Sequence, residues 1–593
     1  MIDRATKLRL RRQYRKSRRQ VEDIGQQAEN NVERHFFKRL SRLWEVRRFL
    51  IGWVLLVLLL SGSVIAQTLN LSGYYQVSRP VAGGTYVEGQ VGSFTNANPL
   101  YTGSSANNTV SSLLFSGLFT YDEDNKLVGN LADRFEISDD GKRYTVTLRN
   151  NLVWHDGKPL VADDVVFTYA TIQNPDAKST LATSWKDIKV RAVDRVTITF
   201  TLPNALSAFP NSMTNGIVPK HLLDGVPMAQ LRSVSFNTTN PIGSGPFKMD
   251  AIEVSGNSLS ERKQNVALVA NPEYHSGRPQ LDRFIVRTFV DSESMLKSFE
   301  NREIDSIAGL EVTPDQYRNE LSVDAYNVPL SGGVFAFFRN SNELLKDVKV
   351  RQALTRAVDT SSLVAGIGYP VLPIRGPLLK THTGYNEKLV QYDYDLAKAN
   401  KLLDDAGWKR GSDGTRVKDG QRLSFALYSQ DNSEYAYVAE TLKSQWGIVG
   451  ADVEVILQPD TDLQTTIGTH NYDVLLYGVS LGVDPDVYAY WHSNQADPRS
   501  PSRLNFSEYK SAKADMALEA GRTRSDAELR IIKYKPFLEA WRADAPAVAL
   551  YQPRFLYLTR GKLAGFNPGT LNTSTDRFSN VQNWQIRQAK TSR

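Results

Sequence analysis

The stretch LADRFEISDDGKRYTVTLRNNLVWHDGKPLVADDVVFTY, residues 131–169, leaves the backbone few options. Phe135, Ile137, Tyr144, Val146, Leu148 and Val153 fall on period-two positions around the turn Asp139-Asp140-Gly141. That alternation predicts a hairpin with one buried face. A second turn, His155-Asp156-Gly157-Lys158-Pro159, hands over to Ala162-Asp163-Asp164, where an aspartate before an apolar run is expected to cap a helix. Residues 113–121 read as a helix-to-strand element ahead of it.

Upstream, residues 49–66 (FLIGWVLLVLLLSGSVIA) carry no charge, and as a helix they would reach about 27 Å, near the hydrocarbon thickness of a bilayer. Residues 1–48 hold fifteen Lys/Arg against six Asp/Glu. Fifty-six basic and fifty-eight acidic residues remain for the rest, so the net charge of +7 belongs to this tail. The bias, with Arg39, Arg42, Arg47 and Arg48 at the apolar edge, puts the tail in the cytoplasm and the body outside as a single-pass protein. A cleaved signal peptide ending at Val64-Ile65-Ala66 is the rival, although 48 residues is long for a charged n-region. The basic run at residues 9–20 fits attraction to anionic lipid; it lacks the aromatic interleaving of a nucleic-acid tract. Apolar residues from Val21 to Leu43 recur at spacings of three and four, predicting a helix that leads into the membrane.

A chain of 593 residues needs two or three cores. Without cysteine there is neither a disulfide framework nor a thiolate metal site, and no cysteine to carry a lipid. None of the seven histidines stands at i+3 or i+4 from another, so no metal motif is read. His155 beside Asp156 has no nucleophile motif with it, and the turn accounts for it; no enzyme and no cofactor are expected. Pro241-Ile242-Gly243-Ser244-Gly245-Pro246-Phe247 lacks the Lys-Ser/Thr of a phosphate loop.

The succession at residues 132–169 resembles the signature of the family 5 solute-binding proteins, the peptide/nickel/opine receptors of ABC importers. Further matches continue it: the Gly-Ser-Gly-Pro turn at 243–246, Asn271-Pro272-Glu273-Tyr274, the helix from Asp347 through Arg351 to Asp359, and Asn583-Trp584 near the end. The resemblance spans nearly all of residues 85–587. It implies an α/β, two-lobed periplasmic-binding-protein-like fold with a hinge, preceded by one transmembrane helix. The expected division is a basic tail at 1–48, a transmembrane helix at 49–66, a stalk at 67–84, lobe I at 85–330, lobe II at 331–545 and a return to lobe I at 546–593.

Residue patterns fill in the lobes. A single strand is expected over 190–202, a buried strand over 332–339, a helix over 394–406 capped by Asp393, and strands at 424–429, 453–457, 473–477 and 547–551. Arg351 reads as one half of an ion pair on a helix surface.

The resemblance also implies where a ligand sits. Asn96 and Asn98 lie in a loop that edges the cleft in the family, and the turn with Ser244 and Gly245 brings backbone close to the ligand. Asn340, Tyr477, Gly478, Ser480, Leu481, Asp484 and Trp491 complete the expected set. Peptide-binding relatives hold an extended peptide on the backbone of the segment around Tyr477–Ser480, with an aspartate three residues before an Asp-Pro pair anchoring the free amino group. Here that position is Leu481, which removes the partner a buried ammonium requires unless Asp484 or another acid reaches it. Asp484 before Pro485 is equally a helix cap. The expected function is a membrane-anchored receptor that captures oligopeptides and delivers them to ABC permease subunits with a separate ATPase. Alternatives are a receptor for a non-peptide solute such as a metal chelate or sugar, a ligand-sensing signalling protein, and more distantly a surface hydrolase.

Overall fold

The computed structural model describes residues 12–19, 21–22, 24–25, 47–101, 103–256, 262–497, 499 and 504–592. The chain divides into two units, Met1–Arg79 with Gln588–Arg593, and Pro80–Arg587. In the first, the described residues of the basic run, 12–19, are helical, and an α-helix covers Arg47–Tyr75. Its window Arg48–Thr68 has mean hydropathy 2.5 and is long and apolar enough to cross a membrane. The helix runs on into the expected stalk and is followed by strand Gln76–Val81, which pairs with Arg587–Ser592. Most of the helix expected between Val21 and Leu43 lies outside the described residues.

Within Pro80–Arg587, one sheet of seven strands runs in the order Val323–Pro329, Arg554–Arg560, Ser306–Leu310, Thr85–Val91, Arg283–Phe289, Lys263–Ala270, Phe247–Ser255. Thr85–Val91 is central and parallel to both neighbours, in register from Thr85 opposite Arg283 to Val91 opposite Phe289. A second sheet of five runs Asp452–Gln458, Ser424–Gln430, Val474–Ser480, Gly332–Phe338, Ala547–Tyr551. Gly332–Phe338 is buried throughout, and its alternation splits the lobe into two cores. Val334, Ala336 and Phe338 pack with helices Val348–Arg356, Leu396–Asp405 and Ser433–Ile448. Phe335 and Phe337 pack on the other side with helices Ala512–Arg522 and Ala527–Asp544.

Two chain crossings join the sheets, and they lie side by side. Leu330 N–H donates to the Pro553 carbonyl at 2.9 Å, and Gln552 Nε2 donates back to the Leu330 carbonyl at 3.0 Å. Ala547–Tyr551 belongs to the five-stranded sheet and Arg554–Arg560 to the seven-stranded one, so the return falls after Tyr551 rather than at 546.

The hairpin at 132–148 forms in the expected register, with Phe135 opposite Val146 and Ile137 opposite Tyr144. Of its alternating apolar residues Tyr144, Val146 and Leu148 are buried, whereas Phe135 and Ile137 are 37% and 39% exposed, because their strand is the edge of a four-stranded sheet. Its partners are Thr197–Thr201 and Lys189–Ala192, two antiparallel strands where the sequence suggested one. Helix Ala162–Gln173 starts with Val161 at its cap, and Asp164 sits a turn inside, where its Oδ2 accepts the Val161 N–H at 2.9 Å. Helix Leu396–Asp405 is capped by Asp395, not Asp393, which pairs with Arg375 instead. Arg351 is buried and donates to the carbonyls of Asp544, Leu345 and Lys346, clamping the end of helix Ala527–Asp544 to the turn before its own helix rather than making a surface ion pair.

Candidate functional site

A cavity of about 750 Å³ opens where the two sheets' loops meet, within the usual size of a small-molecule site. Helix Ser105–Leu114 supplies Asn108, Ser111 and Ser112, held in place by Ser104, whose side chain accepts the Asn107 N–H. The chain at 115–121, the loop at 211–216 and the segment at 572–579 form further walls. From the five-stranded side come Ser480 and Gly482. The lining mixes hydroxyls and carboxamides with the rings of Phe115, Phe119, Tyr121, Trp185, Tyr274 and Phe578.

The glycine turn at 241–247 backs this wall. A side chain at Gly243 would place its Cβ 1.8 Å from the Leu114 carbonyl oxygen, and one at Gly245 would meet Leu113 and Leu114 backbone at 2.6 Å. The close backbone approach at these glycines is to helix Ser105–Leu114, and the neighbouring Pro246 lines the cavity. His155 pins the turn. Its Nδ1 accepts the Gly243 N–H at 3.2 Å, its Nε2–H donates to the Gly245 carbonyl at 3.1 Å, and its own N–H donates to the Gly243 carbonyl at 2.8 Å. Burial pushes its pKa down to about 4, so the ring is neutral with its proton on Nε2. Ser244 is buried, its carbonyl accepting from Ser116 Oγ.

The loop after Val474–Ser480 is fixed differently. Asp484 accepts two bonds from Arg530, at 2.8 and 2.6 Å, and Asp486 accepts one from Arg522 at 2.9 Å. His382 Nε2–H donates to the Gly482 carbonyl at 2.9 Å, and the Leu481 N–H to the Ser331 carbonyl at 2.8 Å. Arg530 and Asp484 are largely buried, so each satisfies a charge the other leaves. Helix Tyr488–Trp491 begins after Val487 without a side-chain cap. Asp484 is thus not that helix's cap, and its carboxylate is engaged by Arg530.

Of the residues singled out from the sequence, Ser480 lines the cavity, and its carbonyl also accepts from Tyr490 Oη–H at 2.6 Å. Leu481 is 6% exposed in the second lobe's core, and Trp491 is fully buried against Phe335, Phe337 and Trp541. Asn98 is buried too, donating from Nδ2 to Asn237 and accepting the Leu100 N–H; Asn96 accepts the Asn98 N–H. Those two asparagines build the loop that places Pro99 in the cavity wall. Asn340, whose N–H donates to the Ser507 carbonyl, follows the far end of the strand whose start pairs with Ser480. Tyr477 is half-buried with Gln464 donating to its hydroxyl, and Gly478 leaves room for the Tyr435 hydroxyl. Tyr274 enters from the sequence only as part of a family match, and the cavity residues that the sequence does not single out include Asn108, Ser111 and the run Asn572-Thr573-Ser574-Thr575-Asp576. The Thr-x-x-Asp spacing of a capping box was the legible signal there.

Among the described residues, no group of three or more metal-ligating side chains stands together. The model of the bacterial extracellular solute-binding proteins, family 5 middle, matches residues 126–500. The chain is 30% identical over 548 residues to the oligopeptide-binding protein AppA of Bacillus subtilis, covering 90% of this chain and 97% of that one. The AppA structure in complex with a nonapeptide matches with TM-score 0.68 at 27% identity over 86% of this chain and all of the other. NikZ from Campylobacter jejuni in complex with Ni(L-His) matches with TM-score 0.71 at 29% identity over 85% and 99%.

Proposed function

The chain belongs to the bacterial extracellular solute-binding proteins of family 5, transport receptors rather than enzymes, and from that premise we propose that it captures oligopeptides between its two lobes and delivers them to ABC permease subunits. The observation that carries the reading is the 750 Å³ cavity walled by both lobes, large enough for a short peptide and rich in groups that bond amides. The paired crossings at Leu330 and Pro553 act as the hinge, and closure dries the cleft and strengthens each bond inside it. The helix through Arg48–Thr68 anchors the receptor, with the basic tail inside against anionic lipid.

A non-peptide solute is the second reading, favoured by Leu481 and by the engagement of Asp484 with Arg530. Native mass spectrometry of the detergent-purified chain tests the first: a ladder of co-purified peptide masses supports it, and a single non-peptide mass replaces it. Carbonate extraction with N-terminal sequencing tests the anchor: release of a chain starting at Gln67 rejects it.

A further inference from the structure

Asp576 is the one Asp, Glu, Lys, Arg or His in the cavity lining. It sits in the short 3₁₀ helix Ser574–Phe578, reached by solvent yet surrounded by protein, and burial raises its pKa above the ordinary carboxylate value. Two backbone N–H groups, of Asn572 and Thr573, donate to Oδ2 at 3.0 and 2.8 Å. No Lys, Arg or His among the described residues lies within ion-pair distance of it. The adjacent Arg577 lowers the Asp576 pKa through its charge but makes its ion pair elsewhere: its Nη2 donates to Glu88 Oε1 at 2.6 Å, with both side chains buried, and Glu88 also accepts from Tyr557. That pair ties the 574–578 segment to the central strand Thr85–Val91, and Arg577 Nη2 donates on to Thr109 of helix Ser105–Leu114 at 3.3 Å.

A carboxylate held rigidly in a concave site without a counter-ion is an unpaid electrostatic cost unless a ligand brings the positive charge. Here the surrounding wall adds the ring of Tyr121, which also favours a cation, while the Phe578 ring is already covered by the Arg577 guanidinium at 3.9 Å. No basic side chain lines the cavity, so nothing there compensates an anionic group. We propose that Asp576 is the cation-docking residue of the cleft: it receives a ligand's ammonium group, while any carboxylate of the ligand stays outside the cavity. This rests on the reading of the cavity as the ligand site. It places the positive end of the ligand on the first lobe, on the segment tied by Arg577, rather than on the loop that carries Leu481.

The test uses the detergent-purified full chain, as wild type and Asp576→Asn, which keeps a carbonyl oxygen for the two backbone N–H groups. Calorimetry is run with tetrapeptides of uncharged residues in free, N-acetyl and C-amide forms, and with glucosamine and N-acetylglucosamine. The expected result is that free-amino tetrapeptides bind about ten- to a hundredfold tighter than their acetylated twins. That preference disappears in Asp576→Asn, the acetylated forms bind both proteins alike, and C-amidation costs nothing. A preference seen only for glucosamine, and lost in Asp576→Asn, keeps Asp576 and rejects the peptide. Equal binding of free and acetylated forms by the wild type, an amine preference that survives in Asp576→Asn, an equal loss for both forms, or no binding of either pair overturns the assignment.

Discussion

In the first lobe the turn at 241–247 is held by neutral partners, His155 and the Asn271 carboxamide, which donates to the Gly245 carbonyl at 3.0 Å. In the second, the loop at 481–487 is held by two arginine–aspartate pairs. Both loops border the same cavity, yet they respond to different insults. Neutral bonds tolerate salt and depend on the ring staying unprotonated, whereas buried ion pairs fail when one member is removed. The acids of that loop, Asp484 and Asp486, are engaged by Arg530 and Arg522, and Asp576 is the acid in the cavity lining.

The largest break is expected in the second lobe. Asp484→Asn leaves Arg530 buried with a weaker partner and should cost about 3–5 kcal/mol, read as a fall in the urea midpoint. The double variant Asp484→Asn/Arg530→Met should recover much of that loss. If the single variant is as stable as wild type, the pair does not hold the loop.

Acid separates the lobes next. With a folded pKa of about 4 against about 6.5 unfolded, His155 takes its proton first in the unfolded chain. Its contribution is whole above pH 6.5 and is lost as pH falls toward 4, up to about 3 kcal/mol. His275, also pushed to about 4 by burial, adds in the first lobe, and His382, depressed as well, in the second. The local readout is amide exchange at Gly243 and Gly245, whose protection relative to the intrinsic rate should fall between pH 6.5 and 4; protection that stays constant over this range would exclude the neutral-histidine staple.

The glycines sharpen the contrast. Gly243→Ala drives a methyl into the Leu114 carbonyl, displacing the helix that carries Asn108 and Ser111, and should cost about 1–3 kcal/mol along with ligand affinity. Gly482→Ala meets open space and pays only for its φ of +65°, about 1 kcal/mol. Thermal melts rank the two, and a reversed order would show that the turn is not packed against helix Ser105–Leu114.

Smallest is the contact between lobes. Ser207 donates from N–H and Oγ to the Arg522 carbonyl at 2.9 and 3.0 Å, bridging the loop after Thr197–Thr201 to the end of helix Ala512–Arg522. Ser207→Ala should leave stability near wild type but speed ligand release by about fivefold, since one bond of about 1 kcal/mol favours the closed arrangement. Stopped-flow dissociation of a bound ligand reads it, and an unchanged rate removes this bond from closure.

Much of the frame could be read from local pattern. Ala547–Tyr551 begins and ends where its apolar content puts it, and the hairpin forms around the expected turn. Period two fixes which residues share a face, and Gly, Pro and Asp mark where the chain must bend. Whether a face is covered is another matter: Phe135 and Ile137 share a face with buried residues but stand on an edge strand. The site depended still more on distance along the chain. Leu481 and Asp484 stand out by motif and Trp491 as a further cleft candidate; tertiary packing puts Leu481 and Trp491 in the interior and Asp484 against an arginine. Asp576 was left aside because its meaning comes from Glu88, nearly five hundred residues earlier, which takes the charge of Arg577. Sequence periodicity reports each residue's local geometry, but which charges remain uncompensated is set by partners that only the folded chain brings together.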